Sequence, residues 1–165
     1  MATRIGWREP TSLLELRWGR YRPRYVGAIV LILAGALVLQ AGSAYADYLI
    51  AIGFASHIAG WVILPARGAR RAAVAVPSAL LVGSLLLGSV AAVLLVGPLA
   101  FWLLLRERPG RSYLATLIPL ASGLVLAKLY PQYGDGAIVV AVSLVVIVAS
   151  AWLARALARP RALRP

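Results

Sequence analysis

The stretch AAVAVPSALLVGSLLLGSVAAVLLVGPLAFWLLL, residues 72–105, contains no charged residue and decides the fold. It is too long for one membrane-spanning helix, which needs about 20 residues, and just long enough for two short ones. Basic loops flank it on both sides, ARGARR at 66–71 and RERPGRS at 106–112. Because short Arg-rich loops stay on the cytoplasmic side of a membrane, we expect a helical hairpin that turns near Gly88–Ser89.

The same charge rule extends outward from this hairpin to the rest of the chain. Four further apolar runs each have about the length of one span; they are residues 25–42, 48–65, 113–130 and 136–154. The loops at 43–47 and 131–136 carry no arginine, which places them outside. The sequence therefore predicts an all-α membrane protein with six transmembrane helices as three hairpins and both termini cytoplasmic. The alternative for 72–105 is a re-entrant hairpin that does not cross.

Charge also divides the chain into three predicted parts. Residues 1–24 form a cytoplasmic Arg-rich segment, 25–154 the six-helix transmembrane domain, and 155–165 a basic cytoplasmic tail. Within the first part, Ser12 and Glu15 have the spacing of a capping box, which predicts a short helix lying on the inner membrane surface. That helix is either an anchor that sets topology or a docking site for a cytoplasmic partner.

The composition favours an integral membrane protein and argues against nucleic-acid binding. Hydrophobic residues make up 62% of the chain and charged residues only 13%, too few to cover a water-soluble domain of this size. The net charge of +12 comes from arginines that flank apolar runs, a pattern typical of membrane proteins. With one lysine and abundant arginine, the sequence resembles the product of a high-GC bacterial genome, so we expect the bacterial inner membrane.

The arginines nearest the predicted inner helix ends are candidates for contacts with anionic lipid headgroups or with a partner protein. They are Arg17, Arg20, Arg22, Arg24, Arg67, Arg70 and Arg71. We expect the bilayer itself as one partner and a second membrane protein, or a second copy of the chain, as another.

His57 is the only histidine, and it lies in the middle of the apolar run 48–65. Ionisable residues at this depth usually face the protein interior. Gly53 and Gly60 are predicted helix-packing positions near His57. Ser56 and Gly60 lie four residues apart, a spacing of small residues that lets another helix approach closely. Two interpretations follow for His57: a hydrogen bond across a helix contact, or a functional role as proton carrier, ligand contact, or axial ligand to a haem or metal.

A second group of polar residues lies near the predicted outer helix ends. A candidate ligand or interhelical polar site comprises His57, Ser56, Gln40, Lys128 and Asp135, with Tyr45, Asp47 and Tyr133 close in sequence. The alternative for Lys128 is that its side chain extends to the outer headgroups. Three prolines inside the runs, Pro77, Pro98 and Pro119, predict kinks in a less regular half that lines a cavity.

No sequence motif indicates catalysis. No carboxylate lies at membrane depth to orient His57, and there is no phosphate-binding glycine loop. Without cysteine and with one histidine, the chain offers too few ligands for a metal. We therefore expect no enzyme, no metal and no cofactor.

Three functions are compatible with these sequence features. The first expectation is an accessory or structural subunit of a larger membrane complex, because the chain is small and has short loops. The alternative is a small-solute transporter or membrane-embedded substrate-binding component with His57 in or near the pocket. A lipid-headgroup enzyme or flippase acting through Arg67, Arg70 and Arg71 is the third.

Overall fold

The computed structural model describes residues 10–15, 19–42, 46–131 and 136–158. Within these ranges the chain forms helices and no strand, which confirms the predicted all-α class. The tail 159–165 and half of the Arg-rich N-terminal segment, residues 1–9 and 16–18, lie outside the described residues.

The described part of the chain contains six α-helices and four 3-10 helices. The α-helices are α1 (Tyr21–Ala41), α2 (Asp47–Ile63), α3 (Arg70–Gly83), α4 (Val96–Leu105), α5 (Leu117–Leu129) and α6 (Gly136–Ala158). The 3-10 helices are Pro10–Leu13, Ser84–Leu87, Ser89–Leu95 and Gly110–Thr116. The last three are continuous with α3, α4 and α5, so that each of these α-helices is part of a longer rod.

Four of the resulting rods are long and apolar enough to cross a membrane. They are Tyr21–Ala41, Arg70–Leu87, Gly110–Leu129 and Ile138–Ala158. Two other apolar helices, Asp47–Ile63 and Ser89–Leu105, are shorter. The number of membrane crossings therefore stays a prediction, while the helices themselves are consistent with a membrane location.

The long apolar run 72–105 is divided at Gly88. This residue has φ 128° and ψ 171°, a backbone conformation that a residue without a Cβ adopts at little cost. Beyond it the chain runs back along α3, because Val74 near the start of the run and Leu105 at its end share one core cluster. Gly88 therefore turns the run into a hairpin of two antiparallel rods.

Two of the three internal prolines mark a change in helix type. Pro98 and Pro119 each occupy the third residue of an α-helix that follows a 3-10 stretch of seven residues. A proline has no N–H to donate, and the first turn of an α-helix is where that loss costs least. The irregularity predicted from these prolines therefore takes the form of a 3-10 to α transition, whereas Pro77 lies inside α3.

Helix ends that carry arginines contact one another at one end of the bundle, called here the arginine-rich end. The contacts are Arg24 Nε to the Ile63 carbonyl (2.7 Å), Arg111 Nη2 to the Ala158 carbonyl (3.0 Å) and the ion pair of Arg67 Nε with Glu107 Oε1 (3.5 Å). They join the start of α1, the ends of α2 and α6, and the loops before α3 and after α4.

The N-terminal segment differs from the predicted interfacial helix. Pro10–Leu13 form a single 3-10 turn with Ser12 inside it, and Glu15 is not helical, so the predicted capping box does not start a helix here. Proline favours the start of such a turn because its φ is fixed. The buried Thr11 hydroxyl lies 3.5 Å from Tyr21 Oη, which connects the turn to α1.

Candidate functional site: an apolar cavity beside a buried histidine

Helices α1 and α2 approach each other closely because glycines line their contact. A Cβ added to Gly35 would lie 2.6 Å from the His57 backbone nitrogen, and one added to Gly60 would lie 2.8 Å from the Ala28 carbonyl oxygen. Gly53 meets the backbone of Leu39 in the same way. Close backbone approach of this kind is what small residues permit between membrane helices.

His57 is fixed inside this contact by three hydrogen bonds. Its Nδ1 lies 2.9 Å from the Ile32 carbonyl oxygen on α1. Its Nε2 receives the Trp61 indole N–H at 3.0 Å and lies 3.0 Å from the Ser78 hydroxyl on α3. The side chain is 1% exposed, so one imidazole links three helices in the bundle interior.

These partners assign the tautomer of His57. A carbonyl oxygen only accepts, so Nδ1 carries the proton, and the indole only donates, so Nε2 is the acceptor. Nε2 has one lone pair, so the indole N–H and the Ser78 hydroxyl share it as donors in a bifurcated hydrogen bond. Both ring nitrogens are therefore engaged by groups of the bundle itself, which fits the structural interpretation of His57.

An apolar cavity of about 200 Å³ lies between α1, α4 and α6. Its lining residues are Tyr25, Ile29, Ile32, Leu33, Ala36, His57, Trp61, Val82, Leu85, Leu95, Pro98, Leu99, Trp102, Val140, Leu144, Ile147, Val148, Ala151 and Trp152. The imidazole of His57 is one of the few polar groups on its wall. Pro98 is on the wall as well, at the 3-10 to α transition described above.

The cavity opens on the lateral face of the bundle. On its α6 side Val148 is 43% exposed and Trp152 is 72% exposed, whereas Leu99 on α4 is buried. Apolar residues are exposed along every helix of the bundle, as expected for a surface in contact with lipid tails. Exposed apolar residues therefore border the cavity on its α6 side.

One end of the cavity adjoins a buried arginine. The Arg106 guanidinium carbon lies 4.4 Å from the ring centre of Tyr25 and 5.9 Å from that of Trp102, and both aromatic residues line the cavity. Arg106 Nη1 also donates to the Tyr21 hydroxyl, and the residue is 3% exposed. Rings in such contact stabilise a cation that has left water.

The other residues predicted for the polar site do not join His57. Ser56 and Gln40 are half-buried and Lys128 is exposed, and in the described ranges no hydrogen bond connects any of them to His57 or to one another. The Gln40 Nε2 atom is buried without a hydrogen-bond acceptor there. Asp135 lies outside the described residues.

The arginines predicted to contact headgroups fall into two groups. Arg20, Arg22, Arg67 and Arg70 are exposed, and Arg71 is half-buried. Arg24 is buried and donates to the Ile63 carbonyl, because the close approach of α1 and α2 covers it, so it does not extend to a headgroup. Arg17 lies outside the described residues.

The partners of His57 and the burial of Arg106 were not predicted from the sequence. Trp61 follows His57 by four residues, and Trp102 precedes Arg106 by four, so both pairs share a helix face and were detectable from spacing. Ser78 comes from another helix, and nothing in the sequence indicates that it meets His57.

No family model, no curated protein and no solved structure matches this chain. Its class is therefore defined by its own fold: an all-helical protein with four helices long and apolar enough to cross a membrane. Among the described residues, no group of three or more His, Cys, Asp or Glu side chains is placed to hold a metal.

Proposed function

We propose that this protein is an integral cell-membrane protein that binds the apolar chain of an amphiphilic molecule in the cavity between α1, α4 and α6. It would serve as a membrane-embedded binding component, without a catalytic step or cofactor of its own. The observation that carries the proposal is the apolar cavity of about 200 Å³, open to the lateral face of the bundle.

The shape of the cavity fits an extended chain. Its wall runs along α1 from Tyr25 to Ala36, about 16 Å of helix at 1.5 Å per residue. An unfilled cavity forfeits the dispersion contacts of its lining atoms, and lipid tails are as apolar as leucine side chains. A lipid chain that enters from the side therefore restores those contacts at little cost.

In this proposal His57 is part of the wall and not a titrating ligand contact. Both ring nitrogens are engaged by Ile32, Trp61 and Ser78, so an apolar chain meets only the ring edge. The imidazole holds three helices at a fixed distance, and this keeps the cavity open.

The proposed topology has six crossings with both termini cytoplasmic. Its support is the arginine-rich end, where arginines that the charge rule assigns to one side also contact helix ends on one side of the bundle. The Arg residues of this end then lie at the cytoplasmic surface.

A second candidate function is an accessory subunit of a larger membrane complex. The specific observation in its favour is a row of small residues on the outer face of α2, where Ala51 and Ala55 are exposed and Ala59 is half-buried. Such a row suits close approach of another helix, but it does not indicate which one.

Bromine quenching of tryptophan tests the proposed function. The parent variant retains only Trp61 and Trp102, with phenylalanine at Trp7, Trp18 and Trp152, and it is reconstituted with phospholipids brominated on their acyl chains. Trp61 is 1% exposed, so a bromine atom reaches it only through the cavity. We expect strong quenching of the parent relative to unbrominated lipid.

A matched pair on α6 supplies the control. Ala151→Phe fills the cavity, whereas Ala149→Phe adds the same ring to an exposed position outside it. We expect Ala151→Phe to lose most of the quenching and Ala149→Phe to keep it; Ala36→Leu is a second filling variant. Equal quenching in all variants, or none in the parent, contradicts the proposal.

A further inference from the structure

We propose that the molecule held in this cavity is an anionic phospholipid, with one acyl chain in the cavity and its phosphate at the arginine-rich end. This inference rests on the proposed function and names the chemical class of its ligand. It assigns a headgroup subsite beside Tyr25, Trp102 and Arg106.

The need for a charged headgroup follows from the apolar surroundings. Inside a bilayer an acyl chain gains little by leaving other acyl chains for an apolar wall, because the two environments are equally apolar. Selection of one lipid over the others must therefore come from polar contacts at an end of the cavity. The arginine-rich end offers such contacts within reach of the wall residues Tyr25 and Trp102.

The charge at that end is strongly positive. The described arginines of this end are Arg20, Arg22, Arg24, Arg67, Arg70, Arg71, Arg106, Arg108, Arg111 and Arg155, and its described carboxylates are Glu15 and Glu107. Glu107 is already paired with Arg67. Arginines near a membrane surface attract anionic headgroups, so the charge at this end complements a headgroup of net negative charge better than a zwitterionic one.

A buried hydrogen-bond donor beside Arg106, the indole N–H of Trp102, suits a ligand oxygen. The Trp102 indole N–H is buried and has no acceptor among the described residues, although Trp102 lines the cavity. Buried N–H groups are nearly always hydrogen-bonded. An ester carbonyl or phosphate oxygen of a lipid whose chain lies in the cavity would supply the acceptor.

The test compares headgroups at constant acyl chain, in the variant that retains only Trp61 and Trp102. Brominated phosphatidylglycerol and brominated phosphatidylcholine are each titrated into unbrominated phosphatidylcholine bilayers. We expect the anionic lipid to quench at a mole fraction about fivefold lower, the factor that one favourable arginine contact gives. This preference should disappear in Ala151→Phe.

Charge variants identify the source of the preference. Arg106→Gln should reduce it and Arg106→Lys should retain most of it, whereas Lys128→Gln, which removes an exposed charge near the last turn of α5, should leave it unchanged. If Arg106→Gln does not fold, the comparison of the two brominated lipids in the variant that keeps Arg106 still tests the anionic assignment. Equal quenching by both lipids overturns the anionic assignment and leaves the acyl-chain site intact. Absence of quenching by either lipid removes both proposals.

Discussion

Helix α1 is packed tightly on one side and loosely on the other. Against α2 it presents Gly35, whose Cα approaches the backbone of His57 so closely that no side chain fits. Towards α4 and α6 it presents Ile29 and Leu33, and there a cavity of about 200 Å³ remains. The same helix therefore takes part in a closed contact and in an open one.

The difference shows what decides how closely two helices of this bundle approach each other. Small residues allow backbones to meet, and a few interior polar bonds then fix the distance. On the other side of α1, large branched and aromatic side chains of three helices surround the cavity. We infer that the α1–α2 contact provides stability and that the cavity is where function lies.

The largest loss of stability is expected from placing a large side chain in the tight contact between α1 and α2. Gly35→Leu places a side chain where the His57 backbone lies 2.6 Å away, and backbone cannot give way as a side chain can. Overpacking costs about 1–3 kcal/mol, and we expect the upper end or more here. SDS titration followed by circular dichroism measures the loss of unfolding free energy.

Gly27→Leu is the matched control for that experiment. Gly27 lies on the same helix, and a Cβ added there meets nothing within 4 Å. It should unfold like the wild type or at slightly higher SDS, because leucine is a better helix former than glycine. Equal destabilisation by the two substitutions would mean that the close contact is not the source of stability.

A smaller effect is expected from the polar bonds within the tight contact. His57→Leu removes the partner of the Ile32 carbonyl, the Trp61 indole and the Ser78 hydroxyl together, and we expect a loss of about 2 kcal/mol in unfolding free energy. Ser78→Ala removes one donor while the Trp61 bond remains, so we expect about 0.6 kcal/mol. The same SDS titration measures both.

The order of these two losses decides the role of the imidazole. If Ser78→Ala costs as much as His57→Leu, the imidazole is not the centre of the network. If neither changes stability while lipid binding is lost, His57 acts on the ligand and not on the helices.

Much of the fold could be predicted from the sequence because hydropathy and charge act locally. The helical runs follow from apolar stretches, and the turn at Gly88 follows from basic loops on both sides of a run too long for one span. The sequence predicted irregular helices at Pro98 and Pro119. It did not predict the 3-10 stretches before these prolines, since both helix types accept the same apolar residues. The N-terminal segment also differs from the predicted interfacial helix, because Pro10 starts a 3-10 turn there.

The candidate site was predictable only in part. His57 stood out as the single histidine in an apolar run, and its role in the interior follows from the cost of an ionisable group in a membrane. The cavity could not be predicted, because it depends on side chains from α1, α4 and α6, which are far apart in sequence. Burial of Arg106 likewise depends on Tyr21 and Tyr25 coming from another helix.

Native mass spectrometry of the chain released gently from its own membranes tests the central claim most directly. We predict a chain that carries one anionic phospholipid, retained by Ala149→Phe and lost from Ala151→Phe. A chain with no retained lipid, or one that keeps the same lipid when Ala151→Phe fills the cavity, would contradict it. A stoichiometric protein partner on a lipid-free chain would instead favour the subunit function.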